Sequence, residues 1–568
     1  MAGLRIALLA SVVVLTLTSC TTGGAPLELS VDGETVSQEN SGSRDRFKPR
    51  TEAADSLWLA DGAVETFPYL PETDEHEHLH ELAEKQLNAD PFAADGHRAV
   101  AWIYYNETNF KEMADCAARA VVLSPASKIN RLCLSLAMYG RGAHQQAFEM
   151  ASQALVLPPS VNVPQNDCRL YLCRAASALN ANRYQASLAD ADLALKISPD
   201  HIYANLLRGE ALTGLERNQE ALTCFRKSLN YINTKDTAPY TLLKAETLLA
   251  RAKAYLLLGE KDAARADLEQ TLALCRNLLQ KTDRKLQSQR QPQTQRQLQL
   301  ETPPQSQRQL QLETPPQSET QVHPQKQRHS EATNAGTEAE NSYTFYLKPN
   351  AFYFAGLAAR QLGRMKEADA LFLEASNLRP NWYLPRVERA AALLSRGQQE
   401  EAFRQCRLAS LLAPRSALAK SMLALTEQMQ GDFGSAFLHA QEALKLNELQ
   451  PEAWFVLAFA NFQDPKTAQA LAMTASRLAP ANTAGKVAQT WALLADKRPR
   501  EALSIANQVV DMEPFQPDHY AMRAHCYLQD QKYDQALKDI SSARNMLPEA
   551  TRFKEFMEQI KTQKAKTK

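Results

Sequence analysis

Small apolar residues recur along the chain at a nearly fixed distance. Ala120, Ala154, Ala194, Ala375, Ala409, Ala475, Val509 and Ala543 each stand five residues before a proline, at Pro125, Pro159, Pro199, Pro380, Pro414, Pro480, Pro514 and Pro548. Ser228, Thr271 and Ala443 hold the same place where the proline is missing. The spacing is 34 residues from 120 to 154, from 375 to 409 and from 509 to 543, with departures to 32, 40 and 43 elsewhere. Repetition at this period marks a stack of units, each too small to bury its own apolar face.

Two further columns define the unit. Seven residues before the anchor lies a small side chain, at Ala147, Ser187, Ala221, Ala264, Ala368, Ala402, Ala436, Ala468, Ala502 and Ala536. A small residue there lets two antiparallel helices approach closely. Five residues earlier again stand Gly142, Gly259, Gly363, Gly397 and Gly431, where a first helix must end in a left-handed turn. Each unit therefore predicts a helix, a glycine turn, a second helix and a proline stop. Gly356, Ala359, Gly363, Ala368, Phe372, Ala375 and Pro380, with Gly209, Ala221 and Phe225, resemble the tetratricopeptide repeat. The resemblance covers about residues 89–280 and 342–548, and implies an all-α solenoid of about eleven helical hairpins. Met113 in the first repeat and Glu448 after Ala443 depart from the pattern and blur local boundaries only.

Between these arrays the periodicity stops. Gln295–Ser306 and Gln307–Ser318 both read QRQLQLETPPQS, and residues 281–341 are expected to be a disordered Gln/Pro-rich linker between a first array, 73–280, and a second, 342–548. After the last repeat, Phe553, Phe556, Met557 and Ile560 fall on one helical face, as expected of a capping helix within 549–568, ahead of Lys561, Lys564, Lys566 and Lys568.

The amino terminus has a different character. Arg5 is followed by a mostly apolar run from Ile6 to Leu17, too short to span a bilayer, so residues 1–19 are expected to be a secretory signal. Leu17-Thr18-Ser19-Cys20 resembles the lipobox of bacterial lipoproteins. That resemblance implies a lipid on Cys20, a flexible tether over 20–72, export, and attachment to the cell envelope, with Thr21 favouring the outer membrane.

Composition narrows the functional classes. Lysine plus arginine and aspartate plus glutamate are both 64 in 568 residues, so no charge excess points to nucleic acid. Cys116, Cys133, Cys168, Cys173, Cys224, Cys275, Cys406 and Cys526 form no Cys-x-x-Cys pair and read as small buried hydrophobes. His76-Glu77-His78-Leu79-His80 fits H-E-x-x-H, in which two histidines one turn apart bind zinc and the glutamate activates water. A polar tether on one side and hairpins on the other leave that helix no protease scaffold. Neither an enzyme nor a cofactor is therefore expected, with a zinc-dependent envelope metalloprotease as the alternative.

Expected instead is a scaffold or adaptor for other proteins, in envelope assembly, secretion or control of peptidoglycan enzymes, with no small-molecule substrate. Stacked hairpins line a concave face with their first helices. Counting by the family resemblance places Trp102, Tyr105, Asn106, Leu132, Leu136, Tyr139, Leu172, Asn180, Tyr203, Tyr353, Arg360, Val387, Gln428, Trp491 and His525 there. This apolar and aromatic mixture predicts helical or apolar ligands rather than a terminal carboxylate.

Overall fold

The computed structural model describes residues 83, 85–106, 109–158, 168–234, 238–301 and 335–567, and all regular secondary structure among them is α-helix. Helices α1 (Ala94–Asn106) and α2 (Phe110–Leu123) form the first hairpin, α3 (Lys128–Gly140) and α4 (His144–Val156) the second, α5 (Cys168–Asn180) and α6 (Tyr184–Ile197) the third. Then come α7 (Ile202–Gly214) with α8 (Asn218–Ile232), α9 (Ala238–Leu257) with α10 (Lys261–Glu301), and α11 (Ala335–Gln361) with α12 (Met365–Leu378). Hairpins seven to nine are α13 (Tyr383–Ser395) with α14 (Gln399–Leu412), α15 (Ala417–Gln430) with α16 (Phe433–Leu446), and α17 (Pro451–Ala460) with α18 (Pro465–Leu478). The last two are α19 (Thr483–Ala495) with α20 (Pro499–Met512) and α21 (Pro517–Gln529) with α22 (Tyr533–Met546), followed by α23 (Thr551–Thr567). The described chain is thus the all-α solenoid that the period implied.

The repeating columns are where the helices touch. Ala120, Ala154, Ala194, Ala375, Ala409, Ala475, Val509 and Ala543 are fully buried, and so are Ala147, Ala221, Ala264, Ala368, Ala402, Ala468, Ala502 and Ala536. All five turn glycines take positive φ, between 74° and 88°. Four other hairpins make the same left-handed turn without glycine, at Asn182, Glu216, Lys497 and Gln531, with φ from 42° to 61°. The conformation comes from the hairpin, which overrides the local cost of a side chain there. Proline also opens helices, at Pro451, Pro465, Pro499 and Pro517, where its missing N–H has no intrahelical partner to lose.

The Gln/Pro-rich insertion does not part the two arrays. Helix α10 continues to Glu301, through glutamine, arginine and leucine residues that favour helix, and α11 begins at Ala335; residues 302–334 lie outside the described residues. Across the insertion, α10 packs directly on α11. Arg276 pairs with Glu367, Arg364 with Glu269, and Lys348 with Asp283. One apolar cluster runs from Ala83 through the sixth hairpin and also takes in Ala392, Phe515, parts of hairpin eleven and α23, while another fills hairpins seven to ten and reaches Met522 and Cys526 of hairpin eleven. Phe553 and Ile560 of α23 are almost fully buried, and Phe556 and Met557 nearly so, and α23 packs on α22. Lys564 on its outer turn pairs with Asp534.

Successive turns of the superhelix also meet each other. The turn of hairpin two reaches hairpins seven and eight: a Cβ on Gly142 would stand 2.5 Å from Tyr383 Oη and 3.0 Å from Ser416 Cβ. The turn of hairpin six reaches the loop before hairpin eleven, where a Cβ on Gly363 would stand 2.2 Å from the Phe515 carbonyl oxygen. Helix α9 lies against α20. Each contact joins hairpins about five apart, so the concave face is wrapped inside the coil.

Candidate functional site

The inner face is built from side chains two helical turns apart on the first helices. Seven residues separate Tyr203 from Glu210, Glu246 from Lys253, and Tyr353 from Arg360, a spacing that returns a residue to the same face. Closure of the coil brings these positions together from hairpins distant in sequence. The Tyr139 hydroxyl accepts a hydrogen bond from Asn180 Nδ2 at 2.9 Å and lies in the field of Glu210, Glu246 and Tyr383. Arg360, 1% exposed, pairs through Nε with Glu388 at 3.0 Å, and Gln516 Nε2 donates to the Arg360 carbonyl at 3.0 Å.

Carboxyl groups dominate this interior. Burial pushes Glu210 up to about 8, and the neighbouring charge of Glu246 adds to the rise while Lys253 opposes it. Burial likewise takes Glu513 to about 8 against Arg360 and Lys253, and Glu388 to about 7 against Arg360. Glu452 is raised by burial although Asn482 and Gln450 donate to it, at 3.1 Å from Asn482 Nδ2. Tyr139, Tyr203, Tyr353 and Tyr383 have their phenols held protonated by burial. The face is therefore a tyrosine-walled, acid-rich interior with Lys253 and Arg360 as its counter-charges.

The expected binding residues divide into three groups. Tyr105, Tyr139, Asn180 and Tyr353 are half-buried. Trp102, Leu132, Leu136, Leu172, Tyr203, Arg360, Val387, Gln428, Trp491 and His525 are buried. Asn106 is the last residue of α1. The expectation of an open concave face needs correction for the buried group, since Trp102, Leu132, Leu136, Leu172, Tyr203, Val387 and Trp491 lie within the apolar packing of the solenoid. His525 is stacked on Phe556 of α23 at 3.9 Å and tilted against Trp491 at 5.3 Å, and burial drives its imidazole down to about 3. Both amide atoms of Gln428 are buried without a hydrogen-bond partner.

Sequence reasoning missed Glu210, Glu246, Lys253, Glu388, Glu452 and Glu513. The signal for Glu210 and Lys253 was their seven-residue distance from Tyr203 and Glu246; Glu388 and Glu513 become interior only through closure. Also missed was a clamp inside the hairpins, in which an arginine of the first helix grips an aspartate sixteen residues on with two hydrogen bonds. Arg174 holds Asp190 at 2.8 and 2.6 Å, Arg251 holds Asp267 at 2.7 and 2.7 Å, and Arg523 holds Asp539 at 2.6 and 2.9 Å. Hairpin four has Cys224 at that place, and Arg208 reaches it at 3.0 Å while pairing with Asp192 at 2.6 Å.

Compared with known proteins, residues 349–381, from within α11 to just past the end of α12, match the family model described as tetratricopeptide repeat. The matched segment is similar to a tetratricopeptide repeat. It contains the tetratricopeptide residues Gly356, Gly363, Phe372, Ala375 and Pro380 named above. No curated protein matches the chain. Among solved structures, yeast Tom70 is 14% identical over 77% of this chain and 96% of its own, with a TM-score of 0.31. The human IFIT1 dimer with m7Gppp-AAAA is 12% identical over 87% of this chain and 99% of its own, at 0.37. A tetratricopeptide-repeat protein from Thermus thermophilus is 16% identical over 31% of this chain and 98% of its own, at 0.28. At these scores none of them bears on ligand or curvature.

Cys20, the signal and tether segments, and His76, Glu77 and His80 lie outside the described residues. Among the described residues no cluster of three His, Cys, Asp or Glu side chains could hold a metal, and no helix is long and apolar enough to cross a membrane. The eight cysteines there are free, all but Cys116 buried, and burial pushes Cys173, Cys275 and Cys406 up to about 12. Protonated thiols in apolar surroundings are packing groups, not nucleophiles.

Proposed function

We propose that the chain is a non-catalytic scaffold that holds other proteins on its inner face, tethered to the cell envelope through a lipid on Cys20. The observation that carries the protein-binding reading is the inner face itself. It gathers Tyr139, Asn180, Glu210, Glu246, Lys253 and Tyr353 from five hairpins, half-buried, and the hairpin joints are already made by the buried alanine columns. Tyrosine supplies contact area and a polar tip at low entropic cost, and carboxylates supply orientation, which together suit a protein segment. The lipid anchor rests on the sequence around Cys20 and is independent of this face.

Crosslinking and pull-down from membranes tests both parts. The full chain is compared with a Tyr139→Ala/Glu246→Gln variant and with Cys20→Ser, each checked for unchanged helical content. A discrete partner that is captured by the parent chain and reduced at least tenfold by the inner-face variant supports the scaffold. Equal capture by both moves the binding site elsewhere. Release of Cys20→Ser into the soluble fraction supports the anchor, and its retention with the membranes rejects it.

A further inference from the structure

We propose that the inner face selects its partner by charge: it takes a segment carrying lysine or arginine, whose basic head sits between Glu210 of α7 and Glu246 of α9, with Tyr139 and Tyr203 as walls. This rests on the reading of the inner face as the binding surface, and adds the chemistry of what binds there.

The repeat places these groups together. Glu246 holds on α9 the place that Tyr203 holds on α7, and Lys253 the place of Glu210, each at the same distance from its hairpin's anchor residue. Neighbouring first helices therefore set Tyr203 beside Glu246 and Glu210 beside Lys253, in two rows on one face. Tyr139 of α3 lies in the field of both carboxyl groups, and its hydroxyl accepts from Asn180 at 2.9 Å. Glu452 and Glu513 reach the same Lys253 from hairpins nine and ten.

Acids with a structural role in this chain are clamped. Asp190, Asp267 and Asp539 each receive two hydrogen bonds from an arginine, and Glu388 meets Arg360 at 3.0 Å. Glu210 is not held in this way. Among the described residues neither Glu210 nor Lys253 makes a hydrogen bond or an ion pair, although each is half-buried and in the other's field. Glu210, Glu246, Glu452 and Glu513 have Lys253 among them, and Arg360 at one end is already on Glu388. Carboxyl groups taken out of water without enough counter-charge are costly, and the charge missing here is positive.

The polar atoms left over point the same way. Near Arg360, Gln361 Oε1, Glu513 Oε2 and Gln516 Oε1 are buried without a hydrogen-bond partner, and His519 Nδ1 stands 3.6 Å from Glu513 Oε2. Gln516 is 2% exposed, and its Nε2 is already on the Arg360 carbonyl. All three are acceptors. Ammonium and guanidinium groups donate through every N–H and accept nothing, so a basic side chain supplies both the charge and the donors. Tyrosine faces attract the same cations. Successive turns meet at Gly142 and Tyr383 and at Gly363 and Phe515, so what reaches this face is a segment of chain and not a folded domain.

Fluorescence anisotropy tests the proposal with three fluorescein-labelled peptides of one length, bearing lysine, glutamine or glutamate at every third position of an alanine-rich sequence. The full chain is expected to bind the lysine peptide about tenfold tighter than the glutamine peptide, and the glutamate peptide more weakly still. Glu210→Gln/Glu246→Gln should abolish that preference, and Glu374→Gln/Glu549→Gln, at exposed positions, should leave it unchanged. A benzophenone-bearing lysine peptide, photolysed on the parent chain and mapped by mass spectrometry, should mark α7 and α9. Adducts confined to the second helices overturn the proposal, and this readout holds even if the double variant does not fold. Preference that survives Glu210→Gln/Glu246→Gln, or that is lost equally with the exposed pair, overturns it too. If lysine and glutamine peptides bind alike and Tyr139→Ala weakens both, charge selection falls while the inner face remains the binding surface. If Tyr139→Ala weakens neither, the reading of that face falls and the proposal with it.

Discussion

Two glycines of the sixth hairpin each face a phenylalanine, with different consequences. A Cβ on Gly356 would stand 2.5 Å from the Phe372 ring, inside the hairpin; one on Gly363 would stand 2.2 Å from the Phe515 backbone, on the next turn of the superhelix. The first contact is local, apolar and repeated, since Gly209 meets Phe225 at the same 2.5 Å. The second is distant, involves a carbonyl and belongs to the seam where successive turns of the superhelix meet, which Gln516 on the Arg360 carbonyl and Lys261 on Asp511 also cross. Hairpins are thus packed by local, repeated contacts, and the coil they form is held by different ones between its turns. The two kinds of contact are expected to fail separately.

The largest effect tests the local side. Phe372 is fully buried, and Phe372→Ala removes a ring from a site with no room to collapse, for an expected loss of about 4 kcal/mol. Urea denaturation followed by circular dichroism measures it. A loss below about 1 kcal/mol would mean that the hairpin interior relaxes around the missing ring, and the distinction would fail. Gly363→Ala is the counterpart, expected to lower protection at 511–518 by more than it shifts the global midpoint.

Much of the local side was legible in the sequence, because a hairpin is specified by neighbours within one 34-residue period. The anchor alanines and the glycine turns stand where the pattern put them. Closure of the coil was not legible. It brings Gly142 to Tyr383 and Arg360 to Gln516, residues far apart in sequence whose encounter depends on a small twist accumulated over five hairpins. Glu388 and Glu513 therefore carried no signal in the sequence, and Trp491 and His525 were expected on an open face. Helix α10 continues to Glu301 through glutamine, arginine and leucine, which are sound helix formers, and residues 302–334 of the Gln/Pro-rich linker lie outside the described residues.

A middle-sized effect sharpens the comparison from the polar side. Arg251 and Asp267 tie α9 to α10 with two parallel hydrogen bonds, and Asp267 is 7% exposed at its side chain. Asp267→Asn keeps the shape but leaves the guanidinium facing a neutral amide, at an expected cost of about 2 kcal/mol. Thermal unfolding of the single variant and of Arg251→Met/Asp267→Asn measures it. The double variant should recover part of the loss, since both charges are then gone. If the single variant costs nothing, the clamp does not hold the hairpin.

The smallest effect isolates the backbone. Glu216 turns hairpin four with φ of 61°, the conformation that Gly142, Gly259, Gly363, Gly397 and Gly431 adopt without a side chain. Left-handed backbone costs a non-glycine residue about 1 kcal/mol, partly offset by the extra freedom glycine has when unfolded. Glu216 is exposed, so Glu216→Gly removes little packing and is expected to stabilise the hairpin by about 0.5 kcal/mol. Amide exchange in α7 and α8 reads so small a change better than global denaturation does. A gain there with unchanged protection at 511–518 would show that turn strain is borne within the hairpin. A gain appearing instead at the seam would show that the turn sets the twist of the coil, and the two kinds of contact would then be coupled through the backbone of a single residue.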